Sequence, residues 1–105
     1  MTKAIIPQDL FKMYQSGAIV TLIDVREEEE YEQEGHIKGS RLIPLVTFLA
    51  NPIIVNPEQP VVFMCRSGKR SERALDAFLT KFPDATAYNL TGGILAWKAA
   101  SLPIE

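Results

Sequence analysis

The fold of this chain is decided by residues 61–71, which read VVFMCRSGKRS. The first four of them form the continuous apolar run that is typical of a central strand in a parallel sheet. Cys65, the one cysteine of the chain, follows directly. Gly68 permits a tight turn, and the apolar spacing over residues 69–82 indicates an amphipathic helix. The stretch therefore predicts a strand, a turn that carries a thiol, and a helix.

The turn has the composition of a site that holds a sulfur anion. Thiolates are favoured at helix N-termini and beside Lys or Arg, and Arg66, Lys69 and Arg70 follow Cys65 within five residues. If residues 66–70 curl around the sulfur, their backbone N–H groups form an anion-binding nest, to which the helix dipole adds. A lone cysteine at a strand end is usually a buried hydrophobe, but these surroundings favour a nucleophile that needs no metal or other cofactor.

Strands and helices alternate outward from this stretch. Strands are predicted at 4–6, 20–23, 42–43, 61–64 and 86–90, and helices from about residues 7, 27, 44, 69 and 93. This alternation predicts an α/β fold with a parallel sheet covered by helices on both faces. In such folds ligands bind beyond the carboxyl ends of the strands. Asp24 and Cys65 both follow predicted strands, so we expect them at the same edge.

Composition limits the classes of function. A length of 105 residues predicts one domain over 1–105. The net charge of −2 argues against a nucleic-acid-binding surface. A single cysteine excludes an internal disulfide and leaves no resolving thiol, so the partner that accepts a group from Cys65 must come from outside.

The same features bear on location. No apolar run approaches membrane-spanning length, and residues 1–7 lack the apolar region of a signal peptide. An accessible thiol fits a reducing compartment. We therefore expect a cytoplasmic protein that uses no membrane. A monomer is the simplest expectation for the oligomeric state, and the net charge predicts no nucleic-acid partner.

Four segments resemble the rhodanese homology superfamily. Residues 65–71 closely resemble its active-site loop, and residues 24–27, DVRE, look like its signature after the second strand. Residues 35–40, GHIKGS, resemble its "GHIxGA" turn with Ser40 in place of alanine, and residues 90–97, LTGGILAW, resemble its "GGxxxW" element. The four occur in family order and at family spacing.

The resemblance implies a fold and a reaction. The fold is a rhodanese-like domain with a five-stranded parallel sheet in the order 1-5-4-2-3. The reaction is sulfur transfer, in which an anionic donor such as thiosulfate or a polysulfide gives its outer sulfur to Cys65. The resulting persulfide passes that sulfur to cyanide or to a small or protein thiol. The loop residues that would bind the donor and balance the departing sulfite are Arg66, Ser67, Gly68, Lys69 and Arg70.

One spacing separates this reading from a phosphatase or an arsenate reductase. Tyrosine phosphatases carry cysteine, five residues and then arginine, which clamps a phosphate. Here Arg70 follows Cys65 after four residues, and Ser71 occupies the later position. The shorter loop is too tight for a tetrahedral oxyanion but fits one extra sulfur. A sulfur-carrier or interaction module that serves one protein partner is the remaining alternative, because an intact loop supports both roles.

Three further residues are predicted to support the loop. Asp24 either accepts backbone hydrogen bonds from the loop or caps the helix that follows it. Arg26 either reaches the donor or forms a structural ion pair, and Ser71 lies just beyond the loop. His36 is not expected to act in catalysis, since sulfur transfer from thiosulfate needs no general base. Residues 27–30 are interpreted as a solvated first helical turn.

Overall fold

The computed structural model describes residues 3–105 and contains one sheet of five parallel strands. The strand order is β1-β5-β4-β2-β3, as the family resemblance implied. The two central strands are β2 and β4, and all connections between strands are crossovers that carry helices. The strands are β1 Ala4–Ile5, β2 Thr21–Asp24, β3 Arg41–Leu42, β4 Val61–Met64 and β5 Ala87–Leu90.

Helices cover both faces of this sheet. The longest helix follows the cysteine, as the apolar spacing predicted, and a short 3₁₀ turn occupies Pro52–Ile54. None of the helices within residues 3–105 is long and apolar enough to cross a membrane. The helices are α1 Pro7–Gln15, α2 Glu28–Gln33, α3 Leu45–Ala50, α4 Lys69–Lys81 and α5 Gly93–Ala99.

The apolar strand β4 divides the core into two layers. Because successive side chains of a strand point to opposite faces, Val61 and Phe63 pack against α3 and α4. Val62 and Met64 pack on the other face with α1 and α5. Cys65 continues the alternation and lies in the first layer.

The ends of the elements differ slightly from the predicted ones. The third strand is Arg41–Leu42 rather than 42–43, because it pairs in register with Ile23 and Asp24 of β2. Strands β2 and β4 are neighbours, and Asp24 lies opposite Met64. The segments that carry Asp24 and Cys65 therefore leave the sheet at one edge, as expected from the sequence.

Candidate active site

Cys65 lies at the carboxyl end of β4, at the bottom of the turn that leads into α4. Its residue exposure is 1%. The accessible thiol predicted from the sequence is therefore wrong for this conformation. Burial follows from the alternation of β4, which directs Cys65 into the same packed layer as Phe63.

Hydrogen-bond donors surround the sulfur atom. The backbone N–H of Gly68 donates to Cys65 Sγ at 3.1 Å, and the buried Ser71 hydroxyl lies 3.4 Å from it. Gly68 has a φ of +103°, a conformation that side-chain-bearing residues rarely adopt. The glycine turn thus aims its amide at the sulfur, as the nest prediction requires.

The electrostatic balance at the sulfur favours the anion. Burial raises the pKa of the Cys65 thiol, but hydrogen bonds from the Ser71 hydroxyl and from the amides of Ser71, Gly68 and Ser67 outweigh it. The pKa of Cys65 therefore lies below its ordinary value. Main-chain amides and one hydroxyl, all of them uncharged, stabilise the thiolate.

The start of α5 holds the backbone of the turn from behind. The N–H of Ile94 donates to the Cys65 carbonyl at 2.9 Å, and the N–H of Leu95 donates to the Arg66 carbonyl at 3.2 Å. A Cβ at Gly93 would collide with the carbonyls of Cys65 and Arg66. The second glycine of the GGxxxW element is therefore required by this close approach.

Asn89 on β5 also contacts the turn, and the sequence interpretation missed it. Its Nδ2 donates to the Gly68 carbonyl at 3.0 Å, and its Oδ1 accepts from the Ser71 hydroxyl at 2.5 Å. The available signal was an amide side chain in the predicted strand 86–90, just before the glycine pair. One side chain thus bridges Gly68 and Ser71, two of the residues that donate to the sulfur.

Arg70 turns its hydrogen bonds away from the sulfur and toward α2. Its two terminal nitrogens bind Glu30 Oε1 and Oε2 at 2.7 and 2.8 Å. The hydrogen bond from Arg70 lowers the pKa of Glu30 to about 2. The Glu30 carboxylate raises the pKa of Arg70, and the charge on Cys65 contributes less.

This ion pair corrects two predictions. Residues 27–30 are not simply a solvated turn, because the Glu30 side chain is only 20% exposed and ion-paired. The backbone of Glu27 also donates to Glu30 Oε1, which closes a capping box at the start of α2. Arg70 is committed to Glu30 rather than held ready for a donor.

The other two cations lie at the exposed rim of the turn. Arg66 Nε is 3.5 Å from Glu34 Oε1, and both side chains are about half exposed, so this pair contributes little stability. Lys69 is exposed and forms no ion pair with any residue in the range 3–105. Ser67 is exposed beside it. Among the three cations of the turn, Lys69 is therefore the one without an ion pair to any residue that the structure describes.

Asp24 and Arg26 form a buried ion pair beside the site. Both side chains are 0% exposed, and Arg26 Nη2 lies 2.8 Å from Asp24 Oδ2. Asp24 also accepts the backbone N–H of Arg26, while Nη2 donates to the Gly35 carbonyl. Across residues 3–105, all hydrogen bonds to the Asp24 side chain come from Arg26.

Both suggested roles of Asp24 are therefore wrong. It neither binds the Cys65 turn nor caps α2, whose N-cap is Glu27. The reason is local: Arg26, two residues after Asp24, folds back and donates to both oxygens of the Asp24 carboxylate. Arg26 has the geometry of the structural ion pair and, being fully buried, does not reach a donor.

The His36 side chain contacts Tyr31 and Glu105. The His36 ring stacks on Tyr31 at 4.0 Å between ring centres, and its Nε2 lies 3.6 Å from Glu105 Oε1. Residues 3–105 contain no group of three or more His, Cys, Asp or Glu side chains able to hold a metal ion.

Comparison with known proteins assigns the family. Residues 7–100 match the family model of the rhodanese-like domain. The chain belongs to the rhodanese-like domain family. It is 30% identical over 103 residues to "Thiosulfate sulfurtransferase GlpE" of Haemophilus influenzae, a match that covers 98% of this chain and 94% of that protein.

Two further relatives define the reach of this likeness. "Uncharacterized protein YqhL" of Bacillus subtilis is 41% identical over 76 residues, which are 72% of this chain and 59% of that protein. This rhodanese-like chain thus matches little more than half of its Bacillus relative. The crystal structure of a rhodanese-related protein from Thermoplasma volcanium superposes with a TM-score of 0.84 at 26% identity, over 98% of this chain and 97% of that one.

Proposed function

We propose that this protein is a sulfurtransferase that carries a sulfane sulfur on Cys65. The donor is an anion of the thiosulfate or polysulfide type, and the acceptor is cyanide or a small or protein thiol. The observation that carries the proposal is the Gly68 amide 3.1 Å from Sγ in a turn of rhodanese type. The Haemophilus relative, named as a thiosulfate sulfurtransferase, supports the same chemistry.

The reaction follows from the donors around the sulfur. The Cys65 thiolate attacks the outer sulfur of thiosulfate, a new S–S bond forms, and the old S–S bond breaks with its electron pair leaving on sulfite. The negative charge moves from Sγ to the terminal sulfur of the persulfide. An acceptor thiolate or cyanide then takes that sulfur, and the electron pair of the broken bond restores the Cys65 thiolate. No proton transfer from His36 is needed.

The turn supports sulfur transfer better than phosphate transfer. A phosphatase needs an arginine that binds the phosphate oxygens with two parallel hydrogen bonds. Arg70 already makes such a pair with Glu30. The position one residue later is Ser71, whose hydroxyl is buried beside Sγ. An aryl phosphate is therefore expected to be stable in the presence of this protein.

A carrier role is a second candidate, and the burial of Cys65 favours it. A sulfur atom in a residue that is 1% exposed is shielded from small thiols in solution. A protein partner could open the turn and remove the sulfur, so stable loading with slow release to small acceptors would indicate carriage. Rapid turnover of thiosulfate with cyanide or a small thiol would indicate an enzyme of small molecules.

The proposal is tested by intact mass after treatment with thiosulfate. The wild-type chain is expected to gain one sulfur atom and to lose it on addition of cyanide. Cys65→Ser is the matched control, because it replaces only the nucleophilic atom, and it is expected to gain nothing. An unmodified wild-type mass, or an adduct that persists in Cys65→Ser, would refute a Cys65 persulfide.

A further inference from the structure

The hydroxyl of Ser71 faces two acceptors. Its Oγ lies 2.5 Å from Asn89 Oδ1 and 3.4 Å from Cys65 Sγ. A serine hydroxyl has one proton to donate. Asn89 Oδ1 is the nearer acceptor in the conformation described, and the sulfur is the second acceptor within reach.

The orientation of the Asn89 amide is determined by its other neighbour. The Gly68 carbonyl can only accept, so the atom 3.0 Å from it must be the Nδ2 donor. This leaves Oδ1 facing Ser71. Rotating the amide to offer Ser71 a donor would bring two oxygens together at Gly68. Asn89 therefore acts on Ser71 as an acceptor.

Gly68 keeps its place without Asn89. Its carbonyl also accepts the Glu72 N–H at 3.2 Å, the first hydrogen bond of α4. A Cβ added at Gly68 would come to ordinary contact distance from the Gly92 nitrogen and the Leu90 carbonyl. The turn at Gly68, whose amide donates to Sγ, is thus also held by the start of α4. The distinctive influence of Asn89 on the sulfur runs through the Ser71 hydroxyl.

We propose that Asn89 is a positioning residue that acts through Ser71. Its Oδ1 accepts the hydrogen bond of the Ser71 hydroxyl while Sγ is neutral, and the hydroxyl donates to Sγ instead when the thiolate forms. The proton stays covalently bound to Ser71 Oγ throughout, and only the direction of its hydrogen bond changes. The Ser71 hydroxyl donates to the thiolate rather than to Asn89 because hydrogen bonds to charged acceptors are roughly twice as strong as neutral ones.

The sulfur-transfer cycle gives this switch two settings, and this part rests on the proposed function. In the free enzyme the charge lies on Sγ, and the Ser71 hydroxyl donates to it. In the persulfide the charge lies on the terminal sulfur and Sγ is neutral, so the hydroxyl returns to Asn89. The pair thus gives Ser71 an acceptor in both states, which avoids a buried hydroxyl without a partner.

The switch predicts an unusual sign for a substitution. The Ser71–Asn89 hydrogen bond exists only while Sγ is neutral, so it stabilises the thiol relative to the thiolate. Removing the amide in Asn89→Ala is therefore expected to raise the thiolate-to-thiol ratio about two- to tenfold, the equivalent of one neutral hydrogen bond. A residue that merely kept the turn in shape would lower the ratio when removed.

The experiment is an ultraviolet titration of the thiolate, with Cys65→Ser as the blank and the ratio compared on the acid side of the transition. Ser71→Ala is expected to lower the ratio, because a donor is lost. In the Ser71→Ala background, Asn89→Ala is expected to add nothing. Thr91→Ala, an exposed change near the same strand end, is the matched control and is expected to match the wild type.

Asn89→Asp provides a second test of which acceptor the Ser71 hydroxyl donates to. A carboxylate competes more strongly for the hydroxyl and adds negative charge, so the ratio is expected to fall, opposite to Asn89→Ala. An unchanged or lower ratio in Asn89→Ala, or the same shift with and without Ser71, would overturn the proposal. The titration uses no sulfur donor, so failure to form a persulfide would refute the proposed function alone.

Discussion

Two neighbouring regions of the molecule treat charge in opposite ways. In the sulfur cradle, which comprises Cys65, Gly68 and Ser71, uncharged donors face an atom that ionises. In the charged flank, which comprises the ion pairs Asp24–Arg26 and Glu30–Arg70, full charges are paired with each other and make no hydrogen bond to the sulfur.

The difference bears on how the sulfur anion is stabilised. An arginine with a free charge would bind a tetrahedral anion, whereas Arg70 is neutralised by Glu30 and serves to fasten α2 to the start of α4. Oriented amides stabilise the sulfur anion without a full positive charge at hydrogen-bonding distance. The flank therefore builds the wall of the site, and the cradle stabilises the anion.

The largest effect is expected from breaking the buried part of the flank. Arg26→Met leaves the Asp24 carboxylate unpaired at 0% exposure, and loss of one partner of a buried pair costs about 3–5 kcal/mol in the free energy of unfolding. Chemical denaturation would measure it. The matched control is the double variant Asp24→Leu with Arg26→Met, which removes both charges and is expected to recover most of the loss.

If Arg26→Met lost less than about 1 kcal/mol, the pair would not be a structural element of the wall. If the double variant were no more stable than the single one, the loss would come from packing rather than from the unpaired charge. Either result would show that the paired charges of Asp24 and Arg26 do not stabilise this part of the structure.

A smaller effect is expected at Glu30, and it depends on pH. The pKa of Glu30 is lowered from an ordinary value of 4.5 to about 2 by Arg70, so its stabilisation is complete above about pH 4.5 and is lost as the pH falls toward 2. Glu30→Gln is expected to lower the free energy of unfolding by up to about 1 kcal/mol at neutral pH, because the pair is partly exposed.

The control for this prediction lies on the same helix. Glu29→Gln removes an exposed carboxylate next to Glu30 and is expected to leave the unfolding free energy nearly unchanged. The gap between Glu30→Gln and the wild type should close between pH 4.5 and 2. A gap that stays constant over that range would show that the Arg70 pair does not depend on the ionised carboxylate.

Local patterns predicted the architecture and the position of the cysteine. The apolar run of β4 and the spacing of α4 depend on neighbours along the chain, and both elements occur where expected. The strand order came from the family resemblance and is confirmed. The nest prediction correctly anticipated the amide of Gly68 because Cys65 and Gly68 are three residues apart.

The contacts that the sequence did not reveal join distant segments. Glu30 and Arg70 are 40 residues apart, and Ser71 and Asn89 are 18 apart. Nothing in local periodicity indicates which acidic residue meets which base. The burial of Cys65, in contrast, follows from the local alternation of β4, which places Cys65 on the same face as Phe63. A single domain over 1–105, a monomer and a cytoplasmic location stay predictions.

Stabilisation of the Cys65 thiolate by uncharged donors is tested most directly by the pKa of the thiol, measured in about 0.1 M and about 1 M salt for the wild type and Lys69→Ala. Hydrogen bonds from amides and the Ser71 hydroxyl are short-range and buried, so we expect a pKa below the ordinary value that salt and the substitution leave nearly unchanged. A pKa that rises toward the ordinary value with salt, or in Lys69→Ala, would show that full charges hold the anion and would contradict the account.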